Sequence, residues 1–111
     1  MRVAVPGKLI LLGEYAVLQG GPALVVAVDR HATCAVTPAD AVTIEGVGLG
    51  AFTLGDGGDG LPFARAVLEA GPDPAPGRYR IDTRAFGDAD APGGWTKLGL
   101  GSSAASTVAL A

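Results

Sequence analysis

The chain has 111 residues, which is enough for one small domain with a modest core. Its net charge of -3 and its lack of a basic stripe argue against nucleic acid as the main partner, and no apolar run reaches the ~18 residues of a membrane span. Pro6, Gly7 and Lys8 interrupt any secretory signal segment and Cys34 is the only cysteine, so we expect a cytoplasmic protein without disulfides.

The N-terminal half is predicted to consist mainly of strands. Residues 2–5 and 8–12 indicate two short strand pieces around a Pro-Gly turn. The continuous apolar run 23–28 is suited to a strand that is buried on both faces, and residues 31–37 alternate more loosely. Residues 42–54 indicate further strands that are broken by glycines.

Helices enter in the C-terminal half. Residues 55–60 are predicted to form a loop, and Pro62 begins a helix that Gly71 ends. Residues 78–83 alternate like an edge strand, and a last helix begins near Ser102, where a serine N-cap is plausible. This order of elements predicts the α+β class. The last helix is apolar to its end and needs a partner surface, so we expect residues 1–111 to be the N-terminal part of a longer protein.

The glycine-rich loop before the last helix is a candidate phosphate cradle. Gly99 and Gly101 allow backbone N–H groups to converge, and a helix N-terminus attracts phosphate. The hydroxyls of Ser102 and Ser103 could reach a phosphate oxygen or Mg²⁺, and Lys97 would add positive charge. The same residues also suit a plain glycine turn with a serine cap.

The pattern of this loop leaves its ligand open. The Walker pattern G-x-x-x-x-G-K-S/T is absent, whereas Gly99, Gly101 and Ala104 match the dinucleotide fingerprint G-x-G-x-x-G/A. That match is weak, because residues 46–51 fit the same pattern without leading into a helix. The residues before the loop also make a poor strand, which a dinucleotide fold requires.

A second group of polar residues surrounds the first apolar strand. Lys8 follows the Pro-Gly turn, and a lysine entering a buried strand is costly unless it meets an anion or a polar cleft. Glu14 and Tyr15 come just past the far end of the strand. Taken singly, each residue is better explained as an ordinary surface or strand-end residue.

Taken together, residues 4–30 and 97–111 resemble the first two signature motifs of the GHMP kinases, the galacto-, homoserine, mevalonate and phosphomevalonate kinases. The first motif runs roughly A/V-P-G-K/R, several apolar residues, then G-E-H/Y, and the second is G-L-G/S-S-S-A. The resemblance implies an N-terminal domain like the second domain of ribosomal protein S5, and transfer of the γ-phosphoryl of ATP with Mg²⁺ to a small-molecule acceptor.

The resemblance also implies roles for individual residues. Lys8 would act on the acceptor, Glu14 and Tyr15 would bind it, and Ser103 would be a Mg²⁺ ligand. The residues expected to hold ATP are Lys97, Gly99, Leu100, Gly101, Ser102, Ser103 and Ala104. Tyr15 in the first motif and Lys97 in the second are more typical of phosphomevalonate kinases, with mevalonate kinases as the alternative, because an extra lysine offsets an acceptor's own phosphate.

Two features of the family have no counterpart in residues 1–111: the third glycine-rich motif and the aspartate that many members use as a base. We therefore expect this stretch alone not to turn over phosphomevalonate. A dinucleotide-binding oxidoreductase and a non-catalytic binding module remain alternatives. His31 and Cys34 lack enough neighbouring ligands for a metal site, and the spacing of Asp56 and Asp59 fits no calcium loop.

Overall fold

The computed structural model describes residues 1–47, 50–53 and 62–111. The described residues form a five-stranded sheet, a two-stranded sheet and two α-helices, so the predicted α+β class is confirmed. The predicted loop at residues 55–60, with Asp56 and Asp59, lies outside the described residues. The elements are β1 (Arg2–Leu12), β2 (Leu24–Thr37), β3 (Val42–Gly46), β4 (Gly50–Thr53), α1 (Pro62–Ala70), β5 (Gly77–Asp82), β6 (Gly87–Asp88), β7 (Thr96–Lys97) and α2 (Ser102–Leu110).

The large sheet has the order β1-β2-β5-β3-β4. Strands β1 and β2 form an antiparallel hairpin, β3 and β4 form another, and β5 joins the two by pairing antiparallel to β2 and parallel to β3. Strand β6 pairs with β7 in the small sheet, which leads directly into the loop before α2.

The first strand is continuous, so the prediction of two separate pieces was wrong. Its register against β2 shifts between Pro6, which lies opposite His31, and Gly7, which lies opposite Val28. Such an irregularity lets a strand carry a proline, which has no N–H to donate, without ending. The Pro-Gly pair therefore interrupts the regular pairing of β1 at the point where the strand passes the glycine loop before α2.

Strand β5 lies in the middle of the sheet, and the prediction of an edge strand was wrong. Its alternation has another cause: Ile81 points into the core and Tyr79 packs against it, while Arg78 and Arg80 are exposed. A central strand of a sheet that is covered on one face shows the same period of two. The exposed guanidinium of Arg80 lies 3.4 Å from the carboxylate of Glu45 on the neighbouring strand.

The apolar start of β2 is not buried on both faces, contrary to the prediction. Leu24 and Val25 are each about half exposed. The reason lies in the placement of the helices. Helix α2 lies across β1, β2 and β5, α1 packs beside it, and buried residues of β2 begin only at Ala32. The tip of the β1–β2 hairpin therefore extends beyond the helical cover that the structure describes.

The core lies between the sheet and α2. Ile44 and Phe86 are its largest completely buried side chains. Helix α2 contributes mainly small residues, Ala105 and Ala109, so its backbone approaches the sheet closely. This close approach fixes the start of α2, where the candidate loop ends, against β1 at its Pro-Gly pair. Within the described ranges, neither helix is long and apolar enough to span a bilayer.

Candidate functional site

The glycine loop leads into α2 without a side-chain cap. Gly99 and Gly101 have φ values of 71° and 76°, and Gly101 is the N-cap residue. A left-handed conformation at the N-cap requires glycine here, because other side chains rarely adopt it. The predicted serine cap was therefore wrong, since Ser102 and Ser103 lie inside the first turn of the helix. No side chain of the loop satisfies the N–H groups of that turn, which remain available to an anion.

The serine and threonine hydroxyls of α2 fall into two groups by their hydrogen bonds. The hydroxyls of Ser106 and Thr107 donate to the carbonyl of Ser103 at 2.9 and 2.8 Å. The hydroxyls of Ser102 and Ser103 have no hydrogen-bond partner among residues 1–47, 50–53 and 62–111. Ser102 is nevertheless almost buried. The first turn thus offers two hydroxyls beside its N–H groups, and the second turn offers none.

Lys8 lies directly on this loop. Its backbone N–H donates to the carbonyl of Leu100 at 2.9 Å. Its side chain runs over Gly101, since a Cβ built on that glycine would lie 3.3 Å from both Cγ and Cε of the lysine. The Pro-Gly-Lys segment and the glycine loop, 90 residues apart in sequence, are therefore one structural unit.

The glycine before Lys8 makes this contact possible. A Cβ at Gly7 would overlap the ring of Phe86 and would lie 2.6 Å from the carbonyl oxygen of Leu100. Gly7 is therefore required by the close approach of β1 to both neighbours. Its place in the Pro-Gly pair, which the sequence indicated only as a turn, serves packing as well.

A cavity of about 550 Å³ opens beside the first turn of α2. Ser102, Ser103 and Lys97 contribute polar groups to its wall, and Trp95 and Phe63 contribute aromatic rings. Ser106 and Thr83 also contribute to its wall. This size and mixture are typical of small-molecule sites.

The cavity does not include every residue that the sequence singled out. Gly99, Leu100 and Gly101 of the loop and Ala104 of α2 are not part of the cavity wall. Lys8 is also outside it and lies across Gly101 instead. Sequence reasoning missed Phe63, which is 60% exposed at the start of α1. An aromatic residue in the first turn of a short amphipathic helix was the available signal.

Glu14 and Tyr15 lie at the other end of the β1–β2 hairpin. Both are exposed, and Tyr15 precedes a short 3₁₀ turn, Ala16–Gln19. In the described part of the chain, neither side chain forms a hydrogen bond or ion pair with Lys8 or the loop. The structure therefore brings Lys8 together with the loop but not with these two residues.

An acidic residue at the end of β5 is locked to an arginine near the cavity. The Nε and Nη2 atoms of Arg84 donate to both carboxylate oxygens of Asp82 at 2.7–3.2 Å. These hydrogen bonds hold the pKa of Asp82 below its usual range. The described residues include no group of three or more His, Cys, Asp or Glu placed to hold a metal ion. His31 lies beside Asp29, and Cys34 is buried in the core.

The connection before the loop differs from a dinucleotide fold. Strand β7 has only two residues and pairs antiparallel with β6. A dinucleotide site needs a parallel strand of a βαβ unit before the glycine loop. The fingerprint match at Gly99, Gly101 and Ala104 therefore does not indicate a dinucleotide-binding site, because the parallel strand before the loop is missing from the described residues.

Known proteins are similar to this chain in both sequence and fold. The chain is 36% identical over 107 residues to mevalonate kinase of Methanothermobacter thermautotrophicus, covering 95% of this chain and 32% of that protein. It is 59% identical over 39 residues to phosphomevalonate kinase of Streptomyces sp. strain CL190, covering 34% of this chain and 10% of that protein. The homologues of this chain are GHMP kinases. No protein-family profile matches it.

The fold of these GHMP kinases is seen in solved structures. A Streptococcus pneumoniae phosphomevalonate kinase, solved in complex with phosphomevalonate and AMPPNP, superposes on 99% of this chain with a TM-score of 0.76 and 23% identity. The chain covers 34% of that kinase. It thus spans about a third of the length of such GHMP kinases.

Proposed function

We propose that this chain forms the nucleotide phosphate-binding part of a GHMP-type kinase that transfers the γ-phosphoryl of ATP to phosphomevalonate. The observation that carries the proposal is the union of Lys8 with the loop at the start of α2, through the 2.9 Å bond to Leu100. This bond places a cation next to the glycine loop and to the N-terminus of α2. The finer fold assignment, a domain like the second domain of ribosomal protein S5, is part of the same proposal.

The loop fits the phosphates of ATP. Left-handed glycines at 99 and 101 leave the backbone N–H groups unobstructed, and the first turn of α2 has no competing cap. The hydroxyl of Ser102 is free to donate to a phosphate oxygen, and Lys97 adds a positive charge on the cavity wall. The aromatic residues of the cavity wall, Trp95 and Phe63, would then receive the base.

Ser103 fits a place in a Mg²⁺ site. Its hydroxyl lines the cavity and has no protein partner in the parts that the structure describes. Mg²⁺ usually has few protein ligands, because it retains several waters and takes phosphate oxygens as further ligands. A single hydroxyl ligand from this part of the chain fits that pattern. When bound, Mg²⁺ neutralises the charge that develops on the phosphates.

Lys8 is the proposed catalytic residue. Its stem runs along Gly101, which brings its ammonium group next to the loop. A cation there stabilises negative charge on the acceptor oxygen and on the transferred phosphoryl group. Residues 1–111 contain no counterpart of the family's aspartate and third motif, so we expect these residues alone to bind ATP without turnover.

The acceptor is the finer part of the proposal. Lys97 and Tyr15 favour phosphomevalonate, as does the 59% identity over 39 residues to a phosphomevalonate kinase. Mevalonate is the second candidate, because the longer match is to a mevalonate kinase. Glu14 and Tyr15 lie away from Lys8, and their proposed contact with the acceptor therefore needs its own test.

The test is a coupled ADP-release assay on the protein that carries this chain, with phosphomevalonate, mevalonate and homoserine as acceptors. We expect ATP- and Mg²⁺-dependent turnover that is fastest with phosphomevalonate. Faster turnover of mevalonate would correct the acceptor. Binding of ATP without turnover of any acceptor would favour a non-catalytic module, and failure to bind ATP would overturn the proposal.

A further inference from the structure

The short turn Arg84–Phe86 accepts a hydrogen bond at each of its three consecutive carbonyl groups. The indole N–H of Trp95 donates to Arg84 at 3.4 Å, and the backbone N–H of Leu98 donates to Phe86 at 2.9 Å. Between them, the guanidinium Nη1 of Arg30 donates to Ala85 at 3.0 Å. Two of these donors lie in the segment that enters the glycine loop, and the third lies on β2.

The turn is fixed from the other side as well. Asp82, the last residue of β5, accepts from the side chain of Arg84 and also from its backbone N–H at 3.0 Å. The Phe86 ring is completely buried and lies against Gly7, next to Lys8. The turn therefore contacts both segments of the candidate site, although none of its three residues lines the cavity.

We propose that Arg30 is a positioning residue that holds this turn, and through it Trp95 and the start of the glycine loop. This inference rests on the proposed nucleotide site. Among the described residues, Arg30 itself forms no hydrogen bond with the loop and does not line the cavity. Its charged donor makes a stronger bond to a carbonyl than a neutral donor does, and its planar group loses little freedom in making it.

The chain contains one tryptophan, so the position of Trp95 can be followed without any ligand. Its ring is about half exposed and covers Gly87. If the turn loosens, the ring loses its acceptor at Arg84 and becomes more accessible to water. Quenching of its fluorescence by acrylamide measures that accessibility directly.

The experiment compares Arg30→Ala, Arg30→Lys and the control Arg78→Ala in the full chain. Arg78 is an exposed arginine of β5, and its side chain forms no bond within the described residues. For Arg30→Ala we expect stronger quenching of Trp95 and roughly fivefold weaker binding of MgATP, the scale of one solvent-exposed hydrogen bond. Arg30→Lys should restore part of both, because an ammonium group can still donate to one carbonyl.

Two results overturn the inference: quenching in Arg30→Ala that equals that in Arg78→Ala, or unchanged MgATP binding despite a changed quenching. Failure of the proposed function has a different signature. In that case the unsubstituted chain binds no MgATP. The quenching comparison between Arg30→Ala and Arg78→Ala then tests by itself whether Arg30 positions Trp95.

Discussion

The backbone N–H of Lys8 and the carbonyl of Leu100 are joined by a 2.9 Å hydrogen bond. This bond places the lysine side chain across Gly101 and next to the first turn of α2. A residue near the N-terminus and a loop near residue 100 thereby form one surface. Substitutions on either side of this bond should therefore separate binding, chemistry and stability.

Lys8→Met keeps an apolar stem over Gly101 and removes the ammonium group. In the kinase that carries this chain, we expect kcat to fall by about a hundredfold or more, the usual cost of losing one charge-stabilising group, with MgATP affinity changed by about threefold at most. Steady-state kinetics and calorimetric titration measure the two quantities. Lys8→Arg is the matched control and should retain more activity. Wild-type kcat in Lys8→Met would remove Lys8 from the mechanism.

In the kinase that carries this chain, Ser103→Ala should raise the Mg²⁺ concentration that is needed for half-maximal activity by about tenfold, because the ion loses one oxygen ligand. A Mg²⁺ titration at fixed ATP gives this value. Thr107→Val is the control, since its hydroxyl already donates to the Ser103 carbonyl at 2.8 Å and Thr107 does not line the cavity. An equal shift in both variants would show a general effect on α2 and would contradict the assigned role.

Gly7→Ala should destabilise the fold by about 2–3 kcal/mol, because the new methyl group overlaps the Phe86 ring and the surroundings are close-packed. Urea unfolding measures the loss. In a Phe86→Leu background, Gly7→Ala should cost less stability than it does in wild type, because the smaller side chain relieves the overlap with the ring. It should still cost some stability, since the Leu100 carbonyl oxygen stays 2.6 Å from the new carbon. No loss in Gly7→Ala would contradict the close approach of β1 to the loop.

Asp82 should make folding stability depend on acid pH. Its pKa is lowered in the folded chain by hydrogen bonds from Arg84, below the value of roughly 3.9 of an unfolded aspartate. Its contribution is therefore fully present above that value and is lost as pH falls through the lower folded pKa.

The measurement is the urea midpoint of wild type and Asp82→Asn between neutral and strongly acid pH. The difference between the two should shrink below about pH 4, where the unfolded carboxyl group becomes protonated. Glu45→Gln is a control that removes the same charge from the solvent-facing pair with Arg80. A constant difference across the pH range would contradict the role of the Asp82–Arg84 pair.

Local signals predicted the helices well. Pro62 and Gly71 marked both ends of α1 and the glycine-serine junction marked the start of α2, because helix ends are specified by neighbouring residues. The capping detail was wrong, since Gly101 and not a serine is the N-cap. The two glycine-containing motifs were also visible, because their residues lie close together in sequence.

Long-range relations could not be predicted from local patterns. The alternation of residues 78–83 is the same for an edge strand and for a central strand with one covered face, so it did not place β5 in the middle of the sheet. Likewise, the three carbonyls of Arg84–Phe86 are met by donors from residues 30, 95 and 98. Nothing in the local sequence of that turn specifies such distant partners.

The central place of β5 has a consequence for how the chain folds. Two hairpins, β1–β2 and β3–β4, can form from nearby residues. Within the described strands they do not pair with each other, and β5 lies between them. Pairings between distant segments close large loops and form late. Insertion of residues 77–82 should therefore be the slow step. The turn Arg84–Phe86 that follows would reach its final position only when the sheet is complete. Nucleotide-binding competence would then appear with the last phase of folding and could serve as its kinetic marker.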